Sequence, residues 1–263
     1  MSVFKLDRAI WNPSLYNNIR TVWFEGVPLP AKELDMKILQ RWFQAPPEER
    51  AKFDQKCRDN FATALESIGP SKLKNPEDAT PFLGEIQQAV QQDPADGGAE
   101  AAWTALCIVL LVDQLARNIY RTNEGLRLVY NHYDKIAYSL LTALSDGSKG
   151  PIGRPDKHPQ WKRSPAHRMW FYLPFEHQES LETHDTVDEI LKSMENDLGE
   201  VGESDVRTQV IQAGLRTAKE HRDILERFGR YPHRNGALGR ESTKEETQFL
   251  AEGGATFGVS QDK

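Results

Sequence analysis

Apolar residues recur at helical spacing along most of this chain of 263 residues. The segment 31–43 is an example, because its large apolar side chains share one face of a helix: Leu34, Ile38, Leu39, Trp42 and Phe43. No segment shows the sustained alternation of apolar and polar positions that is typical of a half-buried strand. The pattern therefore predicts an all-α protein.

Residues that start and stop helices divide this pattern into elements. Ser14 is the expected N-cap of a first helix, and Pro46 and Pro47 with the two glutamates after them begin another. Gly229 is expected to end the longest helix, and Ser242 or Thr243 opens the last one with capping-box spacing. The predicted helices cover about residues 14–23, 31–43, 47–65, 98–121, 124–144, 176–198 and 204–229, with a last one from about 242.

The helix predicted over residues 98–121 should form the centre of the fold. Its middle, residues 105–112, is apolar on every face, so other helices are expected to surround it. This is also the longest uninterrupted apolar run in the chain, and it falls far short of the roughly 18 to 20 residues that a membrane span requires.

We expect a single all-helical domain over residues 1–263, with two long segments of weak helical pattern. The segment near 68–97 is expected to be a long loop with a short helix that begins at Thr80. The segment 145–165 is rich in glycine and proline and is either a lid over a site or a floppy surface loop. A loose tail is expected from about residue 253.

Composition and charge narrow the classes of function. The chain has 33 Lys+Arg and 39 Asp+Glu, a net charge of −6, whereas non-specific nucleic-acid binding needs a basic surface. Residues 1–10 lack the basic and then apolar layout of a signal peptide. The two cysteines, Cys57 and Cys107, form neither a C-x-x-C motif nor a disulfide framework. These features predict a reduced, cytoplasmic protein that has no membrane span and binds no nucleic acid.

Several catalytic and cofactor-binding motifs do not occur in the sequence. It contains no G-x-S-x-G nucleophile elbow, no G-x-x-x-x-G-K-S/T phosphate loop, no G-x-G-x-x-G dinucleotide motif and no H-E-x-x-H zinc motif. We therefore expect neither a cofactor nor a metal ion. What remains is a helical protein with polar groups in otherwise apolar places, which suits a small-molecule cavity or a plain structural bundle.

Polar side chains interrupt the apolar pattern near the end of the central helix. Asp113, Arg117 and Arg121 are spaced four apart and therefore share one face. A carboxylate at the end of a fully apolar segment is costly to bury unless it is paired. Two interpretations follow: Asp113 and Arg117 form a structural ion pair, or one guanidinium points into a cavity and binds a carbonyl or carboxylate.

A second polar group lies at the predicted start of a helix, where Glu176, His177 and Glu179 occur together. A histidine beside acids can act as a general acid or base, with its pKa raised by them. It can equally be a surface residue of the helix N-terminus. No further ligands follow at a spacing that indicates a metal site.

A basic segment spans the end of the longest helix and the turn after it, and contains Arg227, Arg230, Arg234 and Arg240 without an acidic residue among them. Such arginines can bind an anion, or they can neutralise helix C-termini and hold the glycine-rich turn to neighbouring acids. His221 lies on the helix before this segment and either faces a site or is a hydrogen-bonded core histidine.

Together, these three motifs resemble those of the DUF924 family. They read here as DQLARNIYR from Asp113, PFEHQE from Pro174, and the block from Arg227 through Ser242 that contains PHRN and LGR. The resemblance covers nearly the whole chain. It implies an all-helical, tetratricopeptide-like bundle or superhelix around one largely apolar core.

The chain is also similar to fungal members of this family that act in secondary metabolism, among them an intramolecular Diels–Alderase that forms a norbornene. This resemblance implies a cofactor-independent pericyclase whose partner is a small terpenoid intermediate. An apolar cavity that holds diene and dienophile together lowers the entropic barrier of such a cyclisation. Hydrogen-bond donors aimed at a carbonyl or carboxylate of the substrate stabilise the charge that develops there.

Under this hypothesis the polar motifs acquire roles at one site. Arg117 or Arg121, oriented by Asp113, binds the polar end of the substrate, and Arg117→Ala should reduce turnover more than stability. His177 and His221 are further candidates for catalytic donors. The remaining expected substrate-binding residues supply a polar contact, apolar walls and anion anchors: Glu176, Trp170, Tyr172, Trp103, Arg234 and Arg240.

Two other classes of function fit the same sequence. One is a non-catalytic interaction module of the tetratricopeptide type, which would present an exposed groove and no closed cavity. The other is a hydrolase or lyase that uses His177 with Glu176 or Glu179, and its rate would follow a bell-shaped pH profile. A cyclase that holds its substrate by shape and by permanent arginine charges would respond little to pH near neutrality.

Overall fold

The computed structural model describes residues 4–31, 34–148 and 150–259. These residues form helices joined by turns, with no β-strand within those ranges, so the predicted all-α class is confirmed. The α-helices are α1 (Pro13–Trp23), α2 (Met36–Phe43), α3 (Pro47–Ser67), α4 (Thr80–Gln92), α5 (Ala99–Leu110), α6 (Ala116–Ile119), α7 (Asn123–Leu128), α8 (Asp134–Ser145), α9 (Pro165–Arg168), α10 (Leu173–Glu176), α11 (Leu181–Leu198), α12 (Val206–Phe228), α13 (Asn235–Leu238) and α14 (Lys244–Ala251).

Several predicted helix boundaries are found at the expected residues. Pro47 begins α3, Gly229 ends α12 in the left-handed conformation at φ 69°, and Thr243 caps α14 in a complete capping box with Glu246. The predicted cap at Ser14 is wrong, because the Asn12 side chain accepts the hydrogen bonds of the first turn of α1. The helix predicted from residue 31 begins only at residue 36.

Helix α5 lies at the centre of the core, as its apolar sequence predicts. Residues 101–110 are all buried, and an extensive cluster of apolar side chains from α1, α3, α4 and α8 packs around them. Helices α5 and α6 form one continuous helical stretch, Ala99–Ile119, whose mean hydropathy of 1.5 over 18 residues would allow a membrane span by length and composition. Because 83% of that window is buried inside the protein, it has the surroundings of a core helix.

Two π-helical turns interrupt the helices around this centre. One, Leu111–Leu115, joins α5 to α6 and carries Asp113, and the other, Val129–Tyr133, joins α7 to α8 and carries Tyr130. A π turn accommodates an extra residue and redirects the side chains near it, and such turns often occur at functional sites. Both turns place polar side chains beside the same cavity.

The segments predicted as loops are more ordered than expected. Much of the segment 68–97 is α4, which begins at the predicted Thr80. In the segment 145–165, of which residue 149 lies outside the described residues, the Trp161 side chain is fully buried and its indole donates a hydrogen bond of 2.9 Å to the Pro155 carbonyl. The described part of this segment is therefore packed against the core rather than floppy.

The predicted loose tail is docked where the structure describes it. The Phe257 ring stacks on His221 at 3.7 Å between ring centroids, and Phe257 adopts a positive φ of 49°. Residues 260–263 of the predicted tail lie outside the described residues.

Candidate functional site

A cavity of about 1010 Å³ lies between α2, α10, α11, α12 and the segment around Phe257. Part of its wall is apolar and includes Trp42, Phe43, Leu173, Leu191, Met194 and Ile211. Another part is polar and includes Arg117, Tyr130, Glu176, His177, His221 and Arg234. This volume is at the upper end of the range of small-molecule sites, and the division of the wall suits a ligand with one apolar and one polar end.

Asp113 and His177 form a hydrogen-bonded pair at the polar wall. The His177 Nδ1–H donates to Asp113 Oδ1 at 2.7 Å, and the Asp113 side chain is fully buried. Burial alone would raise the pKa of Asp113, but the hydrogen bond from His177 and the charge of Arg117 lower it to about 2, so this carboxylate is ionised and can only accept hydrogen bonds. The sequence did not indicate this pairing; it suggested Glu176 or Glu179 as the partner of His177.

The other nitrogen of His177 is available to a ligand. Nε2 makes no hydrogen bond to the part of the chain that the structure describes, and the imidazole, 15% exposed, lines the cavity. Burial and then Arg117 lower the pKa of His177, in opposition to Asp113. The expected rise in this pKa is therefore wrong, and His177 is a neutral imidazole near pH 7 with an Nε2 lone pair.

Arg117 is tied to two carboxylates. Its guanidinium donates to both oxygens of Asp134, at 2.7 and 2.9 Å, and to the Asp113 carbonyl at 2.9 Å and carboxylate at 3.3 Å. Burial alone would lower the pKa of Arg117, but these two acids raise it. The ion pair expected between Asp113 and Arg117 is present, and Asp134 is a second partner that no spacing in the sequence indicated.

Glu176 is a buried acid with one free oxygen. The residue is 3% exposed, and Oε2 has no hydrogen-bond partner among the described residues. The nearest basic atom is His221 Nδ1 at 4.0 Å, which already donates to the Thr217 carbonyl at 2.9 Å. Burial, and then Asp113 and Asp188, raise the pKa of Glu176 to about 8, so this side chain is a neutral carboxylic acid near pH 7.

His221 is both buried and part of the cavity wall. Burial lowers its pKa to about 3, so the ring is uncharged near neutral pH. Its Nδ1–H donates to the backbone of its own helix, and Phe257 covers one face of the ring. Both interpretations of His221 given by the sequence therefore apply, because it is a hydrogen-bonded core histidine that also lines the cavity.

Arg234 differs from the other arginines of the basic segment. Arg227, Arg230 and Arg240 form ion pairs with glutamates. Arg234 is only 7% exposed, its Nε has no hydrogen-bond partner, and within residues 4–31, 34–148 and 150–259 no acidic side chain forms an ion pair with it. Its guanidinium lies over the rings of Tyr130 and Tyr231, at 4.6 and 4.7 Å from their centroids, and lines the cavity.

Three of the expected substrate contacts do not line the cavity. Trp103 packs against Trp161, with ring centroids 5.1 Å apart, on the side of the core that holds the segment 145–165. The Trp170 ring stacks behind the Phe43 ring, with ring centroids 5.6 Å apart, so it supports the cavity wall without lining it. Arg240 is held by both oxygens of Glu179 at 2.8 Å, which also removes Glu179 as a partner for His177.

Two other expected residues reach the cavity from its edge. Arg121 lies at the rim and donates two hydrogen bonds of 2.9 Å to Asp54. Tyr172 lines the wall with its ring, while its hydroxyl donates to Asp156 at 2.8 Å. No described residue of the segment 145–165 lines the cavity, so the structure gives no support to a lid there.

The site also contains residues that the sequence did not single out as site residues. Tyr130, His233 and Phe257 line the cavity, and Asp134 holds Arg117 from α8. His233 lies within the PHRN block, of which only Arg234 is among the site residues expected from the sequence. Within the described chain, no group of three or more His, Cys, Asp or Glu side chains is arranged to hold a metal ion.

Comparisons with known proteins identify relatives but give no activity. The profile of the family described as "Bacterial protein of unknown function (DUF924)" matches residues 19–254. The fold is similar to the solved structure of a protein of unknown function, ATU0120 from Agrobacterium tumefaciens, with a TM-score of 0.54 and 27% identity over 91% of this chain and 98% of that one. No curated protein matches the sequence.

Proposed function

The chain belongs to the DUF924 family, and from its cavity we propose that it binds an apolar small molecule with an anionic head group and catalyses a cofactor-independent Diels–Alder cyclisation of that molecule. The observation that carries the proposal is Arg234, a buried arginine that forms no ion pair within the described residues and lines the polar part of a cavity whose other wall is apolar. A buried cation is costly unless something neutralises it, and an anionic ligand would do so. The substrate class is a terpenoid acid.

The geometry suits a cyclisation because shape and fixed donors are what such a step requires. A cavity of about 1010 Å³ leaves room for a ligand to fold and bring diene and dienophile together. Glu176, a neutral acid that lines the cavity, can donate a hydrogen bond from its carboxyl group to a carbonyl on the dienophile. That hydrogen bond becomes stronger in the transition state, because electron density increases on the carbonyl oxygen that accepts it.

A small-molecule ligand also fits these observations better than a protein partner does. Arg234 is 7% exposed and lies between two tyrosine rings, so only a slender group can reach it. A peptide bound in an exposed groove would be recognised by arginines such as Arg227, which is 52% exposed. The interaction module therefore has less support than an enzyme or a binding protein for small molecules.

The test is a turnover assay followed by mass spectrometry. Purified protein is incubated with a cyclopentadiene-bearing diterpene acid that carries a dienophile, and the same-mass cyclised product is compared with that from heat-treated protein. We expect faster formation of one cyclised isomer, at the same rate with and without EDTA. No acceleration over the heat-treated control would overturn the proposed reaction.

A matched pair of arginine variants tests the binding half of the proposal. Arg234→Gln should weaken binding of the acid by about 10-fold to 100-fold, because a hydrogen bond to a charged group contributes about 1.5–3 kcal/mol. Arg240→Gln, in the same segment but paired with Glu179 outside the cavity, should bind the acid as the unchanged protein does. Equal affinities of the two variants would overturn the role of Arg234.

A further inference from the structure

Two groups in the cavity are equipped for proton transfer, which a Diels–Alder step does not use. A Diels–Alder cyclisation forms two carbon–carbon bonds and moves no proton. His177 and Glu176 are nevertheless consecutive residues that both line the cavity, and each has a polar atom without a hydrogen-bond partner among the described residues. Burying such groups is costly, so their presence calls for chemistry beyond cyclisation.

His177 has the arrangement of a general base. Its Nδ1–H is held by the ionised Asp113 at 2.7 Å, which fixes both the tautomer and the orientation of the ring. The lone pair therefore resides on Nε2, which has no hydrogen-bond partner among the described residues, and the ring lines the cavity. A carboxylate that orients an imidazole and stabilises it after it takes up a proton is the relationship found in catalytic triads.

Glu176 has the arrangement of the matching acid. Its free oxygen Oε2 is 4.0 Å from His221 Nδ1, too far for a hydrogen bond, and that nitrogen already donates to Thr217. Oε2 has no hydrogen-bond partner among the described residues and Glu176 lines the cavity, so its carboxyl group can give a proton to a ligand oxygen there.

We infer that the cavity also catalyses an allylic proton shift, converting a β,γ-unsaturated ketone or aldehyde into its conjugated isomer, with His177 as base and Glu176 as acid. The inference rests on the proposed function for the ligand class, an apolar acid bound at Arg234. It adds a carbonyl-bearing alkene as the second feature of that ligand.

The step balances within the ligand and these two side chains. His177 Nε2 takes the proton from the carbon between the carbonyl and the alkene, the electron pair of that C–H bond forms the enol double bond, and Glu176 gives its proton to the carbonyl oxygen. The imidazolium then gives a proton to the far alkene carbon while the enol O–H returns its proton to Glu176. The alkene is now conjugated with the carbonyl, and no oxidant, reductant or second substrate is consumed.

The test uses a steroid carboxylic acid with a β,γ-unsaturated ring ketone as the probe. Formation of the conjugated ketone is followed by ultraviolet absorbance, and binding is measured separately by isothermal titration calorimetry. We expect His177→Gln to lower kcat by about 100-fold or more while the dissociation constant stays within about threefold. His158→Gln, which changes a partly exposed histidine outside the cavity, is the matched control and should keep the unchanged rate.

Asp113 is a positioning residue in this proposal, and a spectroscopic readout distinguishes that role from a purely structural one. In Asp113→Asn the amide no longer favours the Nδ1–H tautomer, so the nitrogen-15 shifts of the His177 ring should change and kcat should fall with little change in affinity. If that variant does not fold, His177→Gln and Glu176→Gln still test the assignment.

The outcomes separate this inference from the function it rests on. If the probe binds and is not isomerised, or if His177→Gln isomerises it at the unchanged rate, the proton shift is wrong while the acid-binding cavity stands. If the probe does not bind to the unchanged protein or binds equally to Arg234→Gln, the proposed binding function fails, and the inference fails with it.

Discussion

The guanidinium of Arg117 donates one hydrogen bond to each carboxylate oxygen of Asp134, at 2.7 and 2.9 Å. Both side chains are largely buried, and the same guanidinium contacts the buried Asp113. The arrangement joins the π turn at the end of α5 to the start of α8. Arg117 therefore connects core helices by hydrogen bonds and ion pairs, and it also forms part of the cavity wall.

The first prediction concerns the contribution of the Arg117 ion pairs to the stability of the protein. Arg117→Ala leaves two buried carboxylates without their cation and should lower the free energy of unfolding by about 3–5 kcal/mol. Arg121→Ala is the matched control, because its pair with Asp54 is 40% exposed on the arginine side and should cost no more than about 1 kcal/mol. Urea denaturation measures both losses.

This prediction reverses the expectation from the sequence alone, in which Arg117→Ala reduces turnover more than stability. The reversal comes from Asp134, which no spacing rule connects with Arg117. Equal stability of the Arg117 and Arg121 variants would mean that Asp113 and Asp134 acquire other partners or become hydrated.

The second prediction concerns the pH dependence of stability that Glu176 contributes. Asp113 on the π turn, Asp188 on α11 and His221 on α12 face this acid, and its pKa in the folded protein is raised to about 8 from an ordinary 4.5. The folded state therefore binds more protons than the unfolded state between these values. Stability from this group is fully present at low pH and is lost progressively as the pH rises from about 4.5 to about 8.

Glu176→Gln should remove that loss. The unfolding free energy at about pH 8, taken relative to that at about pH 5, should be higher in this variant than in the unchanged protein. Glu226→Gln, which changes an exposed acid on α12, is the matched control and should keep the original difference. An unchanged pH dependence in Glu176→Gln would show that Glu176 is ionised in the folded state near neutral pH.

The third prediction concerns Phe257 as a wall of the cavity. Its ring covers His221, and its φ of 49° lies in the left-handed region, which residues other than glycine rarely adopt. Phe257→Ala loses the ring and keeps the unfavourable backbone angle, whereas Phe257→Gly loses the ring and relieves that angle. Both should weaken ligand binding, and the glycine variant should be the more stable by about 1 kcal/mol.

Thermal unfolding and calorimetric titration with the steroid acid would separate the two effects of Phe257. Phe43→Ala is the comparison, because Phe43 is an exposed aromatic residue at the other side of the cavity. It shows how much the loss of another ring from the cavity wall lowers the affinity for the ligand. Unchanged affinity in both Phe257 variants would mean that the C-terminal segment does not bound the ligand.

The helices were predictable because each depends on residues close in the sequence. The apolar spacing of α5, the proline at the start of α3 and the capping box at Thr243 act over one or two turns, so the chain itself reveals them. Boundaries failed where two neighbouring residues compete for the same role, as Asn12 and Ser14 do at α1.

The site was predictable only in part, for a different physical reason. Asp113 and His177 could be identified as candidates because polar residues in apolar surroundings need a partner. That they are each other's partner could not be predicted, because they lie 64 residues apart in the sequence. Arg234 and Arg240 are equivalent in the sequence, since both lie in one basic segment. Only the fold shows that Glu179 neutralises Arg240 and leaves Arg234 facing the cavity.

The last prediction uses that difference between the two arginines. A buried cation without an acidic partner costs free energy in the absence of ligand, so Arg234→Met should leave the melting temperature of the free protein unchanged or raise it. Arg240→Met, the matched control, removes an ion pair and should lower it. Adding the steroid acid should raise the melting temperature of the unchanged protein and of Arg240→Met by similar amounts and that of Arg234→Met by less, because stabilisation by a ligand falls as its affinity for the folded state falls. A fall in melting temperature for Arg234→Met as large as that for Arg240→Met would show that the contacts with Tyr130 and Tyr231 already satisfy this cation.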